Sequence, residues 1–209
     1  DTMESKLESK EFDDMTNENI FDQQFWKEAW DNDPNTQDKR MKRAGLGQPE
    51  APGFEKWAEN FNKNSFTEES QKRVKRIMSW IQNQTGGFEN LSILDVGAAS
   101  GVFSIPFSKE SAKVTSLEPS SILHDMLKDN AQHYGVEIET INESFENIET
   151  TDIKKFDLVF ASMCPAVTTW EAVEKAIDIA HQYVYVSLIA DSYTHLTLPT
   201  TPYVYIKLV

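Results

Sequence analysis

Cysteine is nearly missing from this chain of 209 residues: Cys164 is the only one. An intramolecular disulfide is therefore impossible, and one Cys with four scattered His residues offers no spacing for a four-ligand zinc site. No metal site is expected. Long apolar runs are missing too. No stretch reaches the roughly 18 apolar residues that a membrane helix requires. Residues 1–19 also lack the basic and apolar blocks of a signal peptide. These absences argue against a disulfide scaffold, a zinc module and a helical membrane protein. A reducing cytoplasm is the economical expectation.

Positive charge is scarce as well, with 20 Lys and Arg against 34 Asp and Glu and a net charge of −14. Such a surface repels phosphate backbones, which argues against a nucleic-acid partner. The deficit is uneven: residues 1–36 carry a net −8, residues 37–76 a net +4 and the remainder −10. The basic island consists of Lys39, Arg40, Lys42 and Arg43, then Lys72, Arg73, Lys75 and Arg76. Solvated helix faces are the plainer reading of it, and contact with RNA or a protein the sharper one.

Residues 1–19 are polar, acidic and without periodicity, and are expected to be a disordered leader. Because it does not open on methionine, the natural start is placed at Met3 or upstream. Residues 20–87 read as a helical cap. Aromatic residues recur at helical spacing around Phe25, Trp26 and Trp30, and a loop rich in Pro and Gly follows. Phe54, Trp57, Ala58 and Phe61 then repeat at i, i+3, i+4 and i+7. Thr67 caps a further helix whose first turn holds Glu68 and Glu69, and whose apolar face is Val74, Ile77, Met78 and Ile81. Gly86 and Gly87 end it.

After Gly87 the period changes. Strands are predicted over 91–96, 113–118, 136–141, 156–162 and 183–189, and helices over 102–109, 120–134 and 168–181. Strands alternating with helices at this spacing predict an α/β fold over 88–191, a doubly wound, mostly parallel sheet. Residues 192–209 break the pattern where another helix is due. The run from Ser192 to Thr200 resembles the translation of a sequencing adapter, so this stretch is read as a non-native tail, with the natural chain diverging near Asp191. The alternative is a Thr-rich loop leading to an edge strand over 203–209. His195 within it carries no functional weight.

The most informative segment is Ile93-Leu94-Asp95-Val96-Gly97-Ala98-Ala99-Ser100-Gly101. A buried strand ends in an acid, turns on two glycines four positions apart and leads into a helix. Ligand recognition at the end of a parallel strand is the expected use of such a turn. A dinucleotide requires G-x-G-x-x-G so that its pyrophosphate approaches the backbone at a helix N-terminus. Aligned from Gly97, this chain has Ala99 and Val102 at the second and third glycine positions, so that pattern fails twice.

The acid-x-Gly-x-x-x-Gly shape instead resembles the first motif of the class I S-adenosylmethionine-dependent methyltransferases, with Ala99 in place of the middle glycine. Further segments follow in the family's order: Val114 to Ser120 with Glu118 closing the second strand, Asn142 to Ile148, and Phe156 to Ser162. The resemblance covers about residues 54–190 and implies a Rossmann-like sheet of strand order 3-2-1-4-5. It implies S-adenosyl-L-methionine as cofactor and a small-molecule methyl acceptor as partner. The implied cofactor-binding residues are Asp95, Gly97, Ala98, Ala99, Gly101, Glu118, Pro119, Glu143, Ser144, Ser162 and Met163.

Within that set, Glu118 would accept hydrogen bonds from ribose hydroxyls, which a carboxylate can do and an amide nitrogen cannot. Glu143 or Ser144, with Glu146 as the alternative, would lie near the adenine amine. Asp95 would act indirectly, by ordering the turn or a water. Ser162 and Met163 would flank the sulfonium. No catalytic residue is assigned.

The segment Ser162-Met163-Cys164-Pro165-Ala166 lacks the Asn/Asp-Pro-Pro-aromatic signature of enzymes that methylate base or amide nitrogens, which disfavours those acceptors. Cys164 reads as a buried apolar side chain, or else as a soft contact for a thiol or metalloid acceptor. His124, His133 and His181 read as surface or packing residues on helices. Trp26, Trp30, Trp57 and Phe61 read as core of the cap, with an aromatic lid as the alternative. The rival functions are a non-catalytic cofactor-binding or scaffold protein and an RNA or protein methyltransferase.

Overall fold

The computed structural model describes residues 53–187, the backbone of Val204–Leu208, and the isolated positions Gln24, Glu28, Asn32 and Pro34. The acidic leader, the segment around Phe25, Trp26 and Trp30, the basic cluster from Lys39 to Arg43 and the stretch from Ser192 to Tyr203 lie outside the described residues.

Helix α1 (Phe54–Ser65) packs on α2 (Glu68–Thr85). The predicted cap of α2 forms: the Thr67 hydroxyl accepts the Ser70 N–H at 3.4 Å, a contact of the kind that contributes about 1 kcal/mol. Gly86 closes the helix with a left-handed φ of 79°. On the exposed face of α2, Lys72 pairs with Glu68 and Glu69 at 3.4 and 3.7 Å. For this lysine of the basic island, the solvated-face reading holds.

The sheet is built from β1 (Ser92–Val96), β2 (Lys113–Leu117), β3 (Glu139–Ile141), β4 (Phe156–Ser162), β5 (Ala180–Ser187) and β6 (Val204–Leu208). Their order is β3-β2-β1-β4-β5-β6. The first five strands are parallel, in the expected order 3-2-1-4-5, and β6 pairs antiparallel with β5. The backbone over 204–208 thus takes the form of the edge strand weighed from the sequence. The crossover helices are α3 (Ser104–Lys109), α4 (Ser121–Tyr134) and α5 (Trp170–Ile179). Ser120 is the N-cap of α4, and Gly135 ends it with φ 64°.

Three of the boundaries that differ from the sequence reading have a local cause. Helix α3 starts at Ser104, two residues late, because the left-handed residues Ala99 (φ 49°) and Gly101 (φ 89°) prolong the turn. Strand β3 keeps only its last three residues, which pair with Thr115, Ser116 and Leu117 of β2. Strand β5 begins at Ala180, which pairs with Phe156, and an irregularity between Phe156 and Leu158 absorbs the register. His181 is consequently an exposed strand residue and does not end a helix.

Alternation along the strands feeds two cores. Ile93, Val114, Leu158, Phe160 and Tyr185 pack with Val74, Met78 and Ile81 of α2 and with Phe103 and Phe107. Leu94, Val96, Leu117, Val159, Ala161, Val184 and Val186 pack with Ala176 and Ile179 of α5. A parallel sheet covered on both faces needs such nearly continuous apolar strands. Among the described residues, no helix is long and apolar enough to cross a membrane.

Candidate functional site

At the carboxyl ends of β1 and β2 the chain makes one tightly bonded corner. The N–H groups of Gly97 and Ala98 both donate to the Leu117 carbonyl, at 2.8 and 3.1 Å. Gly97 has φ 67°, and a Cβ there would collide with the Cys164 Sγ. The glycine is thus required twice, by backbone conformation and by the closeness of the segment after β4. Ala99 adopts φ 49° without being glycine. A bond from its N–H to Glu118 Oε2 at 2.8 Å holds it there.

Glu118 lies just past β2 and is 5 % exposed. Its other oxygen, Oε1, accepts the Ser120 N–H at 2.9 Å. Burial raises its pKa, and the two backbone N–H bonds, from Ser120 and Ala99, work in the opposite direction. A carboxylate offers about four lone-pair sites, so each oxygen keeps acceptor capacity beyond these two bonds. Beside it, the Asn142 amide donates to the carbonyls of Glu118 and Pro119 at 2.8 and 3.1 Å, while Pro119 itself is exposed.

Asp95 faces the opposite way from the solvent, into a buried relay. Ser116 Oγ donates to Ser104 Oγ at 2.7 Å, and Ser104 Oγ donates to Asp95 Oδ2 at 2.5 Å. The two serines are 0 % exposed and Asp95 is 3 % exposed. Burial pushes the Asp95 carboxyl up to about 7, against the bond from Ser104 and with the help of the nearby Glu118 charge. The relay ties β2, β1 and the first turn of α3 together, which is an ordering role for Asp95.

The segment after β4 turns sharply. Met163 has φ 57°, and its N–H donates to the Ser187 carbonyl at 2.7 Å. Ser187 Oγ donates to Ser162 Oγ at 3.3 Å. Ser162 and Met163 are both half-buried. Cys164 is 3 % exposed and burial pushes its thiol up to about 12, so it is a packed thiol against Gly97 and not a thiolate.

The structure brings Asp95, Gly97, Ala98, Ala99, Gly101, Glu118 and Pro119 into one corner across β1 and β2. Glu143 stands apart on the surface, its Oε1 accepting from Ser144 N–H at 2.7 Å and Asn147 Nδ2 at 2.9 Å. Ser144 precedes a short 3₁₀ turn over Phe145–Asn147. Sequence reasoning missed Ser104, Ser116 and Asn130, and named Asn142 only as the start of the third motif segment. The signal for the first two was polar side chains at positions that the apolar pattern assigns to the core. Asn130 of α4 donates to the Ser100 carbonyl at 2.9 Å and to Asn62 Oδ1 of α1 at 2.8 Å, joining the turn to the cap. Trp57, expected in the core of the cap, is 45 % exposed, stacking on Phe61 with ring centroids 5.2 Å apart.

Comparison with known proteins bears on the fold and the domain. A family model described as a methyltransferase domain matches residues 93–185, from β1 into β5. Among curated proteins, the ubiquinone biosynthesis O-methyltransferases of Salmonella newport and Salmonella typhimurium are similar to this chain, at 27% identity over 82 residues. That alignment takes in 39% of this chain and 34% of those proteins, so the chain spans about a third of the length of these relatives. Among solved structures, magnesium protoporphyrin IX methyltransferase from Synechocystis PCC 6803 with bound SAM superposes with a TM-score of 0.55 at 20% identity, covering 77% of this chain and 80% of that one. A putative S-adenosyl-L-methionine-dependent methyltransferase from Methanococcus maripaludis gives 0.54 at 22% identity, covering 63% and 62%. These two show the shared fold. Residues 93–185 thus match a methyltransferase domain, and the sheet they build is the Rossmann-like fold that S-adenosylmethionine-dependent methyltransferases share.

Proposed function

We propose that the protein binds S-adenosylmethionine at the glycine turn and transfers its methyl group to a small-molecule acceptor beneath the cap of α1 and α2. The observation that carries this is Glu118: a buried carboxylate, fixed by two backbone N–H groups, with acceptor capacity left at the end of the second strand. The residues fit the cofactor. A ribose diol needs a fixed double acceptor, and Glu118 is one. Ser100 Oγ, fully buried within the turn and without a partner, is a spare polar group of the kind that a bound ligand satisfies.

On this reading Gly97, Ala98, Ala99 and Gly101 hold the cofactor by backbone approach, and Glu118 with Pro119 holds its ribose. Glu143 or Ser144 reads the base, and Ser162 and Met163 face the reacting end. Asp95 acts through the relay, as a positioning group. When bound, the cofactor supplies an activated methyl group on a sulfonium sulfur. The chain's own contribution is alignment of the acceptor and exclusion of water. One buried cysteine and an acidic surface suit a cytoplasmic protein acting on a metabolite.

Calorimetric titration with S-adenosylhomocysteine tests the reading. Wild type should bind, and Glu118→Ala should weaken binding by about tenfold or more, the scale of hydrogen bonds to a charged group. Failure of the wild type to bind would overturn it. Tight binding without methyl transfer to any member of a metabolite panel would leave a cofactor-binding scaffold in its place.

A further inference from the structure

A cleft of about 390 Å³ lies between α1 and α2, lined among others by Trp57, Phe61, Ser70, Arg73, Val74 and Val102. This is the size of small-molecule sites. Its position follows from chain geometry. Helix α2 has 18 residues and runs about 27 Å, whereas β1 has five and runs about 17 Å. The end of α2 leads into the start of β1, so the first turns of α2 overhang the carboxyl ends of the strands. Val102 immediately follows Gly101, and Asn62, next to Phe61, is joined through Asn130 to the Ser100 carbonyl. The cleft therefore opens beside the glycine turn.

The chemistry of the cleft is specific. Trp57 and Phe61 stack at 26°, and the fold leaves nearly half of Trp57 uncovered. Arg73 has no carboxylate partner among the described residues, and Glu68 and Glu69 are both engaged with Lys72. Burial raises the Tyr185 phenol, and the charge of Arg73 is among the influences that lower it, so the guanidinium stands on the side of α2 that faces β5. A flat aromatic wall beside an unpaired guanidinium matches one ligand class.

We infer that this cleft takes a methyl acceptor that is planar and largely apolar and that carries an anionic group, which Arg73 binds while Trp57 and Phe61 stack on the ring. The inference rests on the methyltransferase reading, whose cofactor corner it adjoins. Arginine suits the role because its planar fork matches a carboxylate and stacks on aromatic faces.

The full chain is titrated with 2-naphthoate and with the uncharged 2-naphthamide, following tryptophan fluorescence and heat, and S-adenosylhomocysteine affinity is measured on the same samples. Naphthoate should bind about tenfold tighter than the amide, the value of one charge-assisted contact. Arg73→Gln should abolish that preference, Arg73→Lys should keep part of it, and Trp57→Ala should weaken both probes. Cofactor-product affinity should stay unchanged in all three. Equal binding of the two probes by wild type, or a preference that survives Arg73→Gln, overturns the inference. A wild type that prefers naphthoate but binds no S-adenosylhomocysteine overturns the acceptor assignment through the reading beneath it.

Discussion

Gly97 shows how one residue serves two constraints at once. Its φ of 67° is open to glycine and strained for alanine, and its missing Cβ leaves room for the Cys164 sulfur. Gly97→Ala should destabilise the fold by about 1–3 kcal/mol, combining left-handed strain with overpacking. Cys164→Ala in the same chain should restore the part due to the collision and leave the part due to φ. Urea denaturation of the two variants checks this, and no recovery in the double variant would mean that the sulfur is not the obstacle. The motif's departure at Ala99 has a similar local explanation. The middle glycine is dispensable because the Ala99 N–H is anchored on Glu118, so one hydrogen bond holds a backbone conformation that glycine would reach freely.

At the level of elements, helix α1 and the glycine turn are joined by Asn130. One amide spans α1, through Asn62, and the glycine turn, through Ser100, from its own position on α4. Asn130→Ala should lower stability by about 1–2 kcal/mol, for the two lost bonds and the carbonyl left without its partner. The same variant should weaken S-adenosylhomocysteine binding, because the turn loses its brace. Denaturation and calorimetry read the two effects separately. A stability loss with unaltered affinity would show that the cap is packed on the turn without steering it. The cap of α2 was legible beforehand in Thr67. The brace was not, since residues 62, 100 and 130 meet only once three elements are packed.

For the whole molecule, the net charge of −14 and two buried carboxylates at the site act in the same direction. The folded-state pKa of Asp95 is raised from 3.8 to about 7, so between those values the folded chain holds a proton that the unfolded chain has released. Stability therefore falls as pH rises through that window, and the raised Glu118 adds to the slope. Glu139 and Asp157 work the other way. Lys154 and Thr115 lower the first and Ser92 the second, so their stabilisation is lost as pH falls below the ordinary carboxylate range. The melting temperature should peak in mildly acidic buffer and drop by several degrees by about pH 8. Asp95→Asn should flatten that decline, with self-repulsion of the acidic surface remaining in both proteins. Thermal scans of wild type and variant across pH decide it, and identical slopes would remove Asp95 as a cause.

The five parallel strands and the glycine turn were readable from the chain, because each depends on local spacing, while their order 3-2-1-4-5 came from the family resemblance. Alternation gives strands, a change of period gives crossovers, and a motif fixes which strand end faces a ligand. The limits of β3 and β5 were not readable, since pairing partners set them: β2 for one, Phe156 for the other. Nor was the exposure of Trp57, whose helical spacing is the same whether its face is covered or open. The Ser116–Ser104–Asp95 relay, the Asn130 brace and the meeting of Gly97 with Cys164 join residues from 9 to 68 positions apart. Sequence alone determined the glycine turn after the first strand, because backbone conformation and residue type suffice to build it. Tertiary packing decided how that turn is held and what stands beside it, because contacts between distant residues exist only after the chain has folded.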